Sequence, residues 1–266
     1  MATGAVEMSA QDHTKGRFVP EQKPDARLGH MVSRSYISAW GDKRGRLDVI
    51  DIEEGRGYQT TATRATRVSY VYEAGLLDQA NLEGQFGKIE TEGIRAVAKL
   101  RAGTALERNE QHSVIAFLDM HLERGTYADQ AKIQTPALAV RTDGTSEEVG
   151  LRLADRLILS RHMKEADRLA DHGLENWQWA VYEGGGLVTG DGAVLRWAES
   201  KQNNALCTVT FPLSPTHLLV IGRPLDERVP INEVLVSRCR RWIIGQVGTL
   251  TKDSAVIAGV ANGANE

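Results

Sequence analysis

The chain has 266 residues, 41% hydrophobic and 25% charged, enough apolar material to bury a core and offset the entropy of ordering the backbone. Its formal charge of −3 gives no global attraction to nucleic-acid phosphates or an anionic membrane, which leaves such binding to local basic patches. The two cysteines, Cys207 and Cys239, sit in apolar or helical stretches and read as reduced thiols, which excludes a disulfide framework.

Residues 1–26 carry Gly, Gln, Lys, Asp and Pro24 with no sustained apolar period and read as a flexible tail. They contain no cationic start followed by a secretory-length apolar run, and no window approaches the roughly 18 apolar residues of a membrane span. A cytoplasmic protein with no membrane partner is expected.

From about 30 to 72, Leu47, Val49 and Ile50 ahead of Glu53-Glu54-Gly55, then Tyr58 and a Thr-rich run, predict a short hairpin. Between about 76 and 101, Leu82, Phe86, Ile89, Val97 and Leu100 recur at three- and four-residue spacings with Gly93 on the same stripe, an amphipathic helix. A second helix is expected from about 107 to 124, with Val114, Ile115, Leu118 and Leu122 inward and Gly125 as its stop. A third is expected over about 146–172, with Leu153, Leu157, Met163, Ala166 and Ala170 as core candidates and His172-Gly173 at its end.

The period then changes: Trp177, Trp179 and Val181 alternate with polar or small neighbours before Gly184-Gly185-Gly186, which predicts a hairpin turn there. Strands follow at Leu206–Phe211 and His217–Ile221, and a closing helix at about 231–246 uses Leu235, Cys239 and Trp242 as its inner face. Residues 251–266 read as a second flexible tail. Helices precede strands, so the expected fold is α+β, one domain over 27–250, with an N-terminal helical layer packed on a mainly antiparallel sheet and a closing C-terminal helix.

Five segments, His30–Ile37 with Trp40, Leu82–Glu90, Leu122–Thr126, Val188–Ala193, and Phe211–Pro215 with Ile231-Asn232, resemble in their order the bacterial domain-of-unknown-function family numbered 4238. His30-Met31-Val32-Ser33-Arg34-Ser35-Tyr36-Ile37, followed by Trp40, is similar to the family's His-x-Val-Pro-x-x-Tyr-Leu opening, with Ser33 in place of Pro. Leu82-Glu83 and Ile89-Glu90 resemble its acidic pair, and Leu122-Glu123-Arg124-Gly125-Thr126 resembles its Arg-Thr helix end. Val188-Thr189-Gly190-Asp191-Gly192-Ala193 is similar to its Thr-Ser-Asp-Asn-Pro element in the Thr and Asp alone. Phe211-Pro212-Leu213-Ser214-Pro215, then Ile231-Asn232, resemble its ending. The resemblance spans about 30–246 and implies an architecture and candidate positions, with no established reaction.

Among those positions, His30 could act as a base, acid or ligand near neutral pH, or simply pack against Tyr36. Glu83 and Glu90 are about two helical turns apart and project to one side, so they could hold a divalent cation such as Mg²⁺ or Mn²⁺, or belong to a solvated face with Lys88, Glu92 and Arg95. Asp191 lies between two glycines, as a ligand-facing turn or a tight hairpin turn would require. Arg124 could clamp a phosphate or answer the helix dipole, with His121 one turn earlier as its companion in an anion site.

Common nucleotide, hydrolase and zinc fingerprints are absent. Arg238, Arg240 and Arg241 cluster near the last helix and could touch nucleic acid, while Trp177 and Trp179 share a strand face suited to stacking or packing. Two functions follow as expectations. One is a metal-assisted nuclease or phosphoester hydrolase, with His30, Asp191 and Arg124 catalytic and Glu83 and Glu90 on the metal. The other is a non-catalytic binding or regulatory module of a bacterial stress or phage-defence system. Nucleic acid or a phosphorylated small molecule is the expected partner.

Overall fold

The structure, a computed structural model, describes residues 28–73, 75–77, 81–163, 166–200 and 204–250. Both expected tails, 1–26 and 251–266, lie outside the described residues. In chain order the elements begin with β1 (Leu28–His30), α1 (Arg34–Ile37), β2 (Arg46–Asp51), β3 (Arg56–Thr61) and β4 (Arg67–Ser69). Then come α2 (Leu82–Arg101), α3 (Arg108–Thr126), β5 (Thr135–Val140), β6 (Ser146–Leu151) and α4 (Leu153–His162). The remainder is β7 (Trp179–Glu183), β8 (Thr189–Gly190), β9 (Leu195–Ala198), β10 (Leu206–Ser214), β11 (His217–Gly222), α5 (Ile231–Arg238) and β12 (Trp242–Gly245).

The fold is α+β, and every described strand pairing is antiparallel. Two four-stranded sheets run β3-β2-β12-β8 and β7-β11-β10-β9, and two small ribbons pair β1 with β4 and β5 with β6. The expected hairpin forms from β2 and β3, with Gly55 at φ +59° in its turn, a conformation that glycine adopts without a Cβ penalty.

Both long helices start on side-chain caps. The Asn81 side chain accepts from Gly84 N–H at 2.9 Å ahead of α2, and Glu110 Oε2 accepts from Glu107 N–H at 3.0 Å ahead of α3, which satisfies N–H groups that the first turn leaves without partners. The predicted stripe is the buried one: Leu82, Phe86, Gly93, Val97 and Leu100 of α2 face inward, as do Val114, Ile115 and Leu118 of α3.

One aromatic cluster joins α1, α3 and β10. Tyr36 stacks on Phe211 at 4.7 Å between ring centres and meets Trp40, Phe117 and His121 edge-on. Its hydroxyl is bonded to Thr189 Oγ1 at 2.6 Å and donates to Pro212 O at 2.7 Å, so a buried phenol gains partners in both large sheets.

Three sequence expectations need correction. The stretch 146–172 is strand β6, then the shorter helix α4, then a 3-10 turn at Leu169–His172. Leu153 and Leu157 are buried as expected, but Met163 is 55% exposed. Gly184-Gly185-Gly186 does not close a hairpin: β7 pairs with β11, and the next strand, β8, belongs to the other sheet. The closing helix stops at Arg238, and Trp242–Gly245 is a fully buried strand laid between β2 and β8.

Candidate functional site

The C-terminal end of α3 organises two adjoining regions. On one side Arg124, 3% exposed, places its guanidinium 4.3 Å from the Phe86 ring centre and 5.2 Å from that of Tyr72, and Nη1 donates to Glu90 Oε1 at 2.5 Å. The Tyr72 hydroxyl donates to the His30 carbonyl at 2.8 Å, and His30 Nε2 donates to Thr63 O at 3.1 Å. Burial lowers the His30 pKa, although the Thr63 contact and the charge of Glu90 act in the opposite sense. Burial pushes the Tyr72 phenol up to about 12 despite the neighbouring Arg124, and the charges of Glu90 and Glu83 add to the rise. His30, Glu83, Glu90 and Arg124 therefore surround Tyr72, a residue that the sequence pattern did not mark.

Asp191 is turned away from this group. Its carboxylate accepts from Trp242 N–H at 2.6 Å, Arg240 N–H at 2.7 Å and Arg241 N–H at 3.2 Å. The flanking glycines have a local cause: a Cβ at Gly190 would collide with Trp242 O, and one at Gly192 with the Arg238 carbonyl. The backbone that approaches this Gly-Asp-Gly turn is the chain's own α5–β12 connection. Burial pushes the Asp191 carboxyl up to about 6, against the pull of the three N–H donors.

His121 is not a companion anion ligand for Arg124. It is buried, Nε2 donates to Gly190 O at 2.9 Å, and burial pushes its pKa down to about 4. Arg241 is also internal, bonded to Glu53 at 2.6 Å and lying 4.5 Å over the Trp242 ring. Among the described residues, no three His, Cys, Asp or Glu side chains gather in a metal-holding arrangement.

On the other side of α3 lies a cleft of about 520 Å³, walled by Leu122, Gly125 and Thr126 of α3, by Asp191 and Gly192, by Arg196 and Trp197 of β9, and by Arg238 and Arg240. Its volume suits one small ligand. Arg196 pairs with Asp167, and Arg240 lies 3.4 Å from Asp129 Oδ2. Arg238 is exposed and, among the described residues, has no hydrogen-bond or ion-pair partner. A run of arginines near 240 was visible in the sequence; the arrival of Arg196 beside it depends on β9 pairing with β10.

The family model described as protein of unknown function (DUF4238) matches residues 29–248. The chain belongs to that family. No curated protein and no solved structure matches the chain. In this DUF4238 chain the five segments of the resemblance all fall among the described residues, and no described helix is long and apolar enough to cross a membrane.

Proposed function

We propose that the chain is a binding or regulatory module that takes a phosphorylated small molecule of nucleotide size into the cleft beside α3. The observation that carries this reading is the convergence on one cleft of Arg196 from β9 with Arg238 and Arg240 from the end of α5 and just beyond it, the Arg238 side chain being unpaired among the described residues. Guanidinium groups bind phosphate through charge-assisted, forked hydrogen bonds, and Trp197 on the same wall offers an aromatic surface. A bounded cleft in a chain of net charge −3 favours a small phosphorylated ligand over a long nucleic-acid track.

Titration calorimetry with inorganic phosphate and nucleoside mono- and triphosphates at low salt tests it. Arg238→Ala/Arg240→Ala is expected to weaken binding by at least about 100-fold, from about 1.5–3 kcal/mol for each of two charged hydrogen bonds. Equal affinity in wild type and variant, or no binding by either, would refute the proposal.

A metal-assisted nuclease or phosphoester hydrolase is the second reading, favoured by the gathering of His30, Glu83, Glu90 and Arg124 round Tyr72. The engagement of Asp191 by three backbone donors supports a structural role for that carboxylate instead. Oligonucleotide cleavage in Mg²⁺ or Mn²⁺ that Arg124→Ala abolishes, in a variant shown to be folded, would reverse this preference. We also read residues 27–250 as one domain of a cytoplasmic protein, with α2 and α3 as a helical layer on the sheets. The Arg101 Nε bond to Leu213 O at 2.5 Å supports that layering.

A further inference from the structure

A smaller recess of about 190 Å³ adjoins the arginine cleft, and Leu122, Thr126, Asp167 and Arg196 line both. Three carboxylates line the recess: Asp119, Glu123 and Asp167. Asp119 accepts from the backbone N–H groups of Leu169 at 2.7 Å and Ala170 at 3.0 Å. Asp167 is held between His172 and Arg196.

Glu123 differs from both. Its side chain is only 8% exposed, Oε2 lies 3.4 Å from Arg161 Nε, and Oε1 is buried with no hydrogen-bond partner among the described residues. The nearby cations have other acceptors: Arg161 Nη1 donates to Gln85 Oε1 at 2.6 Å, and Arg168 Nη2 to Ser160 O at 2.7 Å. A buried carboxylate oxygen without a donor is costly, and Glu123 is also one of the residues that line the recess.

We infer that the ligand of the cleft carries a cationic amine as well as a phosphate, with the phosphate at Arg238 and Arg240 and the ammonium paired with the under-partnered Glu123 carboxylate. The inference rests on the reading of the cleft as a phosphate site and narrows its ligand to aminated phosphate esters. One unpartnered acceptor oxygen matches the single charge and few donors of an ammonium. A divalent cation would ask for about six oxygen ligands, and the described residues supply no metal-holding cluster.

Calorimetry with ω-aminoalkyl phosphates of graded chain length, each against the n-alkyl phosphate of equal length, separates the two claims. The best aminated probe is expected to bind about tenfold tighter than its alkyl counterpart, the scale of one charge-assisted hydrogen bond. Glu123→Gln should remove that preference and leave the alkyl phosphate affinity unchanged, with a thermal melt confirming that the variant is folded. Equal affinities for the two probes in wild type would overturn the amine site and leave the phosphate reading standing, as would a preference that survives in Glu123→Gln. A Glu123→Gln variant that loses both probes together would mark Glu123 as a residue of the fold and also overturn the inference. Failure of wild type to bind either probe would remove both readings.

Discussion

Asp191 offers the sharpest test of the electrostatics because burial and hydrogen bonding oppose each other at one carboxyl. The group is 3% exposed, and its folded pKa stands at about 6 against an ordinary 3.8. Between those values the folded state binds more protons than the unfolded state, so the contribution to stability is fully present below about 3.8 and is lost as pH rises through about 6. The displacement from 3.8 to about 6 corresponds to about 3 kcal/mol. Asp191→Asn removes the titration and keeps one acceptor oxygen for Trp242 and Arg241, while Arg240 N–H, bonded to the other oxygen at 2.7 Å, loses its acceptor. Urea unfolding of both proteins at intervals from pH 4 to pH 7.5 gives the difference in stability free of the other titrating groups. That difference is expected to move against wild type by about 2.5 kcal/mol across the range, since part of the roughly 3 kcal/mol is already lost at pH 4. A flat difference, or one that grows in favour of wild type as pH rises, would show that the three N–H donors outweigh burial and would refute the reasoning.

Asp155 carries the opposite sign. Burial raises its pKa, but the backbone N–H groups of Leu77, Leu76, Gly75 and Arg152 outweigh it and hold the carboxyl below the usual aspartate range, so its contribution is present above the unfolded pKa and lost as pH falls. Asp155→Ala should cost on the order of 3 kcal/mol at neutral pH, from about 1–3 per buried donor left unmatched, and the deficit should shrink in acid when both proteins are unfolded in urea. Two glycines separate close packing from helix propensity. Gly125→Ala drives a Cβ into Asp191 O and should destabilise by several kcal/mol, on the order of overpacking a core, whereas Gly87→Ala meets nothing within 4 Å on α2 and should stabilise by about 0.5–1 kcal/mol. Equal melting temperatures for the two variants would refute the close approach of α3 to β8.

The segments read correctly from the sequence are those whose signal is local. The three- and four-residue spacing of Leu82, Phe86 and Leu100 and that of Val114, Ile115 and Leu118 each lie within one helix. The failures are strands whose partners lie elsewhere. Glu147, Val149 and Leu151 alternate in β6, but the fragment becomes a strand by pairing with Thr135–Val140, and without that partner its run into Leu153 reads as one helix. Trp242–Gly245 continues the apolar pattern of α5 and is converted to a strand by β2, nearly the whole chain away. Tertiary context overrides propensity at both places. The candidate site divides the same way. Arg124 and Glu90 were visible as charges on neighbouring helices, whereas Arg196 joins Arg238 only through the sheet, and Tyr72 carries no mark except its position against Arg124.

The segments that carry the family resemblance bond to one another. Tyr36 of the first reaches Thr189 of the fourth and Pro212 of the fifth. Glu90 of the second meets Arg124 of the third, and Gly125 lies against the Asp191 carbonyl. Asn232 accepts from Val188 N–H at 3.0 Å and donates to Gly186 O at 2.8 Å, and Asp191 closes the turn that follows α5. These contacts join the N-terminal segment, both long helices and both large sheets, so each residue has a structural reason to be present that requires no ligand. Membership of the family therefore explains the architecture and leaves the chemistry to groups outside this network. Arg238, whose side chain has no partner among the described residues, and Glu123, with one oxygen unfilled among them, take no part in these contacts. They flank two adjoining spaces beside α3, where the proposed ligand would supply the contacts that the chain does not make for itself.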